Sequence, residues 1–87
     1  MLKGTTKSGF SYEIEEETLN DMELFESLCD VDAGDLRAIV PACKRMLGEQ
    51  KKALYEHLRG EDGRVPMDAV LRELTEILQA GAASKNS

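Results

Sequence analysis

Basic residues, cysteines, histidines and long apolar runs are all scarce in this chain, and each shortage removes a class of function. Eleven Lys and Arg stand against seventeen Asp and Glu over 87 residues, a formal net charge of −6. Binding to nucleic acid rests on neutralising phosphates with Lys and Arg, so an acidic chain is not expected to bind it. An anionic membrane surface repels the chain for the same reason. No apolar stretch approaches the roughly 20 residues of a membrane-crossing helix. Met1-Leu2-Lys3-Gly4-Thr5 has no apolar run of the signal-peptide kind. The expectation is therefore a cytoplasmic protein that contacts neither nucleic acid nor membrane. Two cysteines, Cys29 and Cys43, are too few for the disulfide framework of a small secreted domain. Together with the single histidine, His57, they are also too few for a zinc site of about four ligands. Both cysteines lie among apolar residues at helical spacing, which predicts two buried thiols acting as small hydrophobes. No metal and no cofactor is expected.

What is present predicts one small helical domain. Hydrophobic residues are 41% of the chain, enough for a thin core, since a domain this short buries only roughly 60% of its unfolded surface. Residues 1–9 are rich in Lys, Gly, Thr and Ser without periodicity and are expected to be a flexible arm. Phe10-Ser11-Tyr12-Glu13-Ile14 alternates apolar and polar residues. That period of two fits a strand, but a lone strand needs a partner from another chain. The favoured expectation is an extended arm that packs Phe10, Tyr12 and Ile14 onto helices.

Four helices are expected to follow, within a domain over residues 10–80. The first begins near Thr18 to Asn20, with Asn20 and Glu23 as a capping box. Its apolar face is Leu24, Phe25, Leu28 and Cys29, and Ala33-Gly34 stops it. The second covers Asp35 to Leu47. Proline removes a backbone donor and is tolerated in a first turn, so Pro41 is expected to open the main helix after a short turn over Asp35 to Val40; a single kinked helix is the alternative. Gly48 closes that helix as a left-handed cap. The third helix spans about Glu49 to Arg59, and Glu61-Asp62-Gly63-Arg64 is a turn. The fourth runs from about Met67 to Ala80 and carries the longest apolar stripe, Met67, Val70, Leu71, Leu74, Ile77 and Leu78. Residues 81–87 are expected to be a flexible tail. The expected class is all-α, a small bundle of about four short helices with an extended N-terminal arm.

No catalytic constellation is legible. His57 has no thiol or serine near it in sequence, and nucleophile activation needs one beside it. Glu15-Glu16-Glu17 is a solvated run at a helix start, whereas a general acid needs a carboxyl in an apolar pocket. Aligning Gly63 with the invariant glycine of a calcium loop puts Leu58, Gly60 and Ala69 at ligand positions, which lack the required side-chain oxygens. Gly60-Glu61-Asp62-Gly63 has no following lysine, and its carboxylates would repel a phosphate. The chain is not expected to be an enzyme.

Charge is segregated along the chain. Residues 13–35 hold ten acidic and no basic side chains, whereas residues 36–59 hold six basic and two acidic ones. Two faces that attract each other within the fold would explain this. That is the favoured expectation; a head-to-tail contact between copies is the alternative, and self-association is among the expectations.

The order of features then becomes specific. An acidic segment with Phe10-Ser11-Tyr12-Glu13-Ile14 precedes Asn20-Asp21-Met22-Glu23-Leu24-Phe25-Glu26. Met46-Leu47-Gly48-Glu49-Gln50 follows, then Leu58-Arg59-Gly60-Glu61-Asp62-Gly63-Arg64-Val65-Pro66, and the sequence ends in Lys85-Asn86-Ser87. Over about residues 10–87 the chain resembles the small tail assembly chaperones of long-tailed, siphovirus-type bacteriophages and prophages. The resemblance implies a mostly helical, self-associating protein that coats the tape measure protein and keeps it soluble. It would help recruit subunits of the major tail protein into the tube, act in the bacterial cytoplasm and be absent from the virion. A longer frameshifted product, with an extension starting near Ser84 to Ser87, is a further implication. Met22, Met46 and Met67 would supply adaptable contacts. The expected contact residues are Met67, Val70, Leu74 and Ile77 of the last helix, together with Tyr12 and Ile14; the helical four are equally the first candidates for the core. The other reading is a small acidic regulatory protein that occupies a basic site on a host or phage protein.

Overall fold

A computed structural model describes residues 1–85, with side chains through Ala82. The chain begins as a hairpin, β1 (Leu2–Thr5) and β2 (Ser11–Ile14). Five helices follow: α1 (Glu16–Leu19), α2 (Met22–Asp32), α3 (Ile39–Leu47), α4 (Gln50–Leu58) and α5 (Met67–Lys85). A 3-10 turn over Leu36–Ala38 leads into α3. The radius of gyration, 12.5 Å, is that of a compact chain of this length.

The fold is helix-dominated but not all-α, because the N-terminal residues expected to be a flexible arm form a strand. β1 pairs antiparallel with β2, Leu2 opposite Ile14 and Gly4 opposite Tyr12. The connection closes with a Gly9 N–H bond to the Thr6 carbonyl at 2.9 Å and a Thr6 N–H bond to the Phe10 carbonyl at 2.9 Å. Gly9 takes φ +96°, a left-handed conformation that glycine adopts without penalty and that three-residue hairpin loops require. Tyr12 lies against Gly4, where an added Cβ would meet its ring. The partner that β2 needed therefore comes from its own chain. An isolated hairpin is marginal in water; this one buries Tyr12 and Ile14, with Phe10 beside them, in the helical core.

The helices stand near the predicted spans with shifted ends, but Phe25 and Cys29, expected on the inner face of α2, are exposed. Asp21, not Asn20, caps α2, its carboxylate accepting from the Glu23 and Leu24 N–H groups. Asn20 instead ends the short α1. Pro41 lies inside the first turn of α3, whose free N–H groups have no intrahelical partner. Gly48 ends α3 at φ +54°. The Gly60–Arg64 turn is held by the Asp62 side chain, which accepts from the Arg64 N–H at 3.0 Å. The last helix continues past Ala80 to Lys85, so residues 81–85 are helical where a tail was expected; Asn86 and Ser87 lie outside the described residues. Gly81 is buried inside α5 because Leu19 of α1 occupies the space a Cβ would fill. α3 packs against α1, α2, α4 and α5, and its Ala42, Cys43, Met46 and Leu47 join Leu24, Leu28, Leu54, Val70, Leu74 and Ile77 in one core.

Candidate functional site

Of the six expected contact residues, the structure leaves one on the surface. Tyr12, Ile14, Val70, Leu74 and Ile77 are all buried, so the last helix turns that stripe inward and uses it as core. Met67 alone is outside, 61% exposed. It rims a shallow apolar cleft of about 220 Å³ lined by Val31, Leu36, Ile39 and Leu71. The two thiols also part company. Cys43 is buried as expected, while Cys29 is exposed. Burial pushes the Cys43 thiol above its ordinary 9.0, against a smaller opposing effect of Lys51. Thiolate is the reactive form, so a maleimide should modify one cysteine in the native protein, Cys29, and both in denaturant. Mass spectrometry of the adducts checks this; labelling of native Cys43 would contradict the packing of α3.

The residues that sequence spacing could not bring together are Thr6, Ser8, His57 and Glu73. Glu73 is 4% exposed, and one of its oxygens accepts from the Thr6 hydroxyl at 2.8 Å and the Ser8 hydroxyl at 2.7 Å. The Lys7 N–H donates to Glu76 at 2.9 Å, one turn further along α5. His57 Nε2 stands 3.0 Å from the Ser8 carbonyl oxygen and 3.2 Å from the Ser8 hydroxyl. A histidine, a serine and a carboxylate converge, so their proton assignments decide what they do. The carbonyl can accept only, so the nearer contact places a hydrogen on Nε2, which then cannot take the Ser8 proton. That proton is already directed to Glu73. In a triad the carboxylate orients the histidine and the histidine faces the serine; here the carboxylate faces the serine itself. The cluster grips the hairpin turn and fastens it to α4 and α5. The signal in the sequence is Glu73 itself, which shares the spacing of Val70, Leu74 and Ile77 and so faces the core side of α5.

Electrostatics around α2 are divided. Arg45 reaches from α3 to Asp21 and Glu23, each at 3.3 Å, so the acidic segment and the basic middle do meet within one chain. Among the described residues no ion pair involves Glu26, Asp30 or Asp32. Large apolar side chains stand out beside them: Met22 is 70% and Phe25 51% exposed, and Leu36 and Val40 are also uncovered. Among the described residues no group of His, Cys, Asp and Glu side chains is placed to hold a metal ion, and no helix is long and apolar enough to cross a membrane.

No family model, curated protein or solved structure matches the chain.

Proposed function

We propose that the chain is a tail assembly chaperone of a long-tailed phage or prophage. It binds the tape measure protein, keeps it soluble and helps recruit subunits of the major tail protein. It works in the cytoplasm of the bacterial host, makes and breaks no covalent bond, and is left out of the mature virion. The observation that carries the reading is the outward display of Met22, Phe25, Leu36, Val40 and Met67 by a small acidic helical domain. Apolar side chains scattered singly are ordinary, but these five, with Met1 also exposed, on so short a chain offer contact to an apolar helix. The net charge of −6 opposes precipitation while they do so. The motif order around Met46-Leu47-Gly48-Glu49-Gln50 and Glu61-Asp62-Gly63-Arg64-Val65-Pro66 supports the same reading.

Co-expression tests it. The tape measure protein encoded beside this chain should be insoluble alone and should co-elute with the chain when both are made. A tape measure protein that stays insoluble in the presence of the chain would count against the proposal. The carboxylates of Glu26, Asp30 and Asp32, without an ion pair among the described residues, favour a second reading, an acidic regulator seated on a basic site. That reading requires binding to a basic protein that salt abolishes and that substitution of Phe25 leaves intact.

A further inference from the structure

We infer that the outward face of α2 receives one amphipathic helix of a partner, a helix whose apolar stripe is flanked by Lys or Arg. The inference rests on the proposed holding of an apolar helical partner and names the surface and the chemistry that would do it. α2 is apolar on two sides. Leu24, Leu28 and Val31 face the core. Met22, Phe25 and Cys29 are exposed, and steps of three and four residues place them in one row along a second, outward side. Eleven residues make a helix of about 16 Å, long enough to seat about three turns of a partner.

Charge selects the occupant. On this helix Glu26 and Asp30 border one edge of the row and Asp32 the other, and no basic side chain interrupts residues 13–35. Among the described residues the one cation paired at α2, Arg45, is held at its first turn by Asp21 and Glu23. An α2 helix from a second copy would set like charges against these carboxylates, which costs affinity. An anionic membrane meets the same repulsion. A helix with Lys or Arg beside its apolar stripe covers the row and pairs these carboxylates together. Such contacts are read through anchors at helical spacing, and Phe25, central and aromatic, is the anchor here.

The test uses the full chain and two matched model helices with the same leucine stripe, one flanked by lysines and one by glutamates. The lysine peptide should bind at least about tenfold more tightly than the glutamate peptide, with a preference that shrinks at high salt. Phe25→Ser with Met22→Ser should weaken binding about tenfold without moving the melting temperature, because both side chains are exposed. Glu26→Lys with Asp30→Lys should reverse the preference, and the lysine peptide should protect Cys29 from maleimide. Equal binding of the two peptides, no binding of either, or binding indifferent to Phe25→Ser would overturn the assignment. So would an oligomer that the Phe25 substitution dissociates, because a second copy would then own this face. Peptide binding lost through Leu36→Ser and Met67→Ser instead would move the site to the cleft and leave the chaperone reading standing. Peptide binding at α2 with an insoluble tape measure protein would do the reverse.

Discussion

Replacing Leu74 by alanine should lower the stability of this protein by about 3–4 kcal/mol and its melting temperature by roughly 15–25 °C. Leu74 is completely buried at the middle of the α5 stripe, between Val70 and Ile77. Truncation removes transfer free energy and leaves a cavity that close-packed neighbours fill only in part. A domain of this length has a total stability of only about 4–13 kcal/mol, so the loss is a large share of it. The measurement is urea and thermal unfolding followed by circular dichroism, with Met67→Ala as the companion. Met67 belongs to the same sequence stripe but is exposed, and its truncation should change stability by no more than about 0.5 kcal/mol. The pair separates two roles that spacing alone leaves merged. A stripe that serves as a contact surface loses partner binding and keeps its stability when truncated; a stripe that serves as core loses stability first. An unchanged melting temperature in Leu74→Ala would mean that α5 does not turn this face inward.

The merging has a physical cause. Period-3.6 spacing locates the helices, and α2 to α5 stand close to their predicted spans. It cannot say which stripe faces the core when a helix carries two, as α2 does. Spacing puts Phe25 and Cys29 with Leu24 and Leu28, and the fold sends them outward. The hairpin was hidden for a different reason. Its inward position opposite Tyr12 is Gly4, empty so that the aromatic ring can lie over it, and an empty position does not look apolar in a sequence. The turn did leave a trace, since Gly9 between Thr5-Thr6 and Phe10-Ser11-Tyr12 is a glycine-bearing connection of hairpin length. Gly81 is the opposite case. A glycine near a helix end usually marks its stop, but here it makes room for Leu19 and the helix runs on. The polar cluster joins residues up to 67 positions apart, and no local pattern announces such a meeting.

Glu73→Ala should cost about 2–4 kcal/mol, whereas Glu73→Gln should cost about 1 kcal/mol. Both the Thr6 and the Ser8 hydroxyl donate to the same oxygen of Glu73. Glutamine keeps an oxygen there and loses the charge assistance; alanine removes the acceptor two hydroxyls share and leaves the buried Thr6 hydroxyl, which also accepts from the Phe10 N–H at 3.2 Å, only the Ser8 hydroxyl oxygen 3.1 Å away for its proton. An unsatisfied buried group bears its full desolvation penalty, so the alanine loss should exceed the glutamine loss. Denaturant unfolding gives the two totals. Hydrogen exchange gives their location, and the amides of β1 and β2 should lose protection in Glu73→Ala before those of α3. A cycle with Thr6→Val then measures the pair directly, with an expected coupling of about 1–2 kcal/mol. Equal losses for alanine and glutamine would mean that negative charge, not the acceptor oxygen, holds the turn. In that case salt should loosen the hairpin, because the fastening would be long-range attraction instead of two short hydrogen bonds.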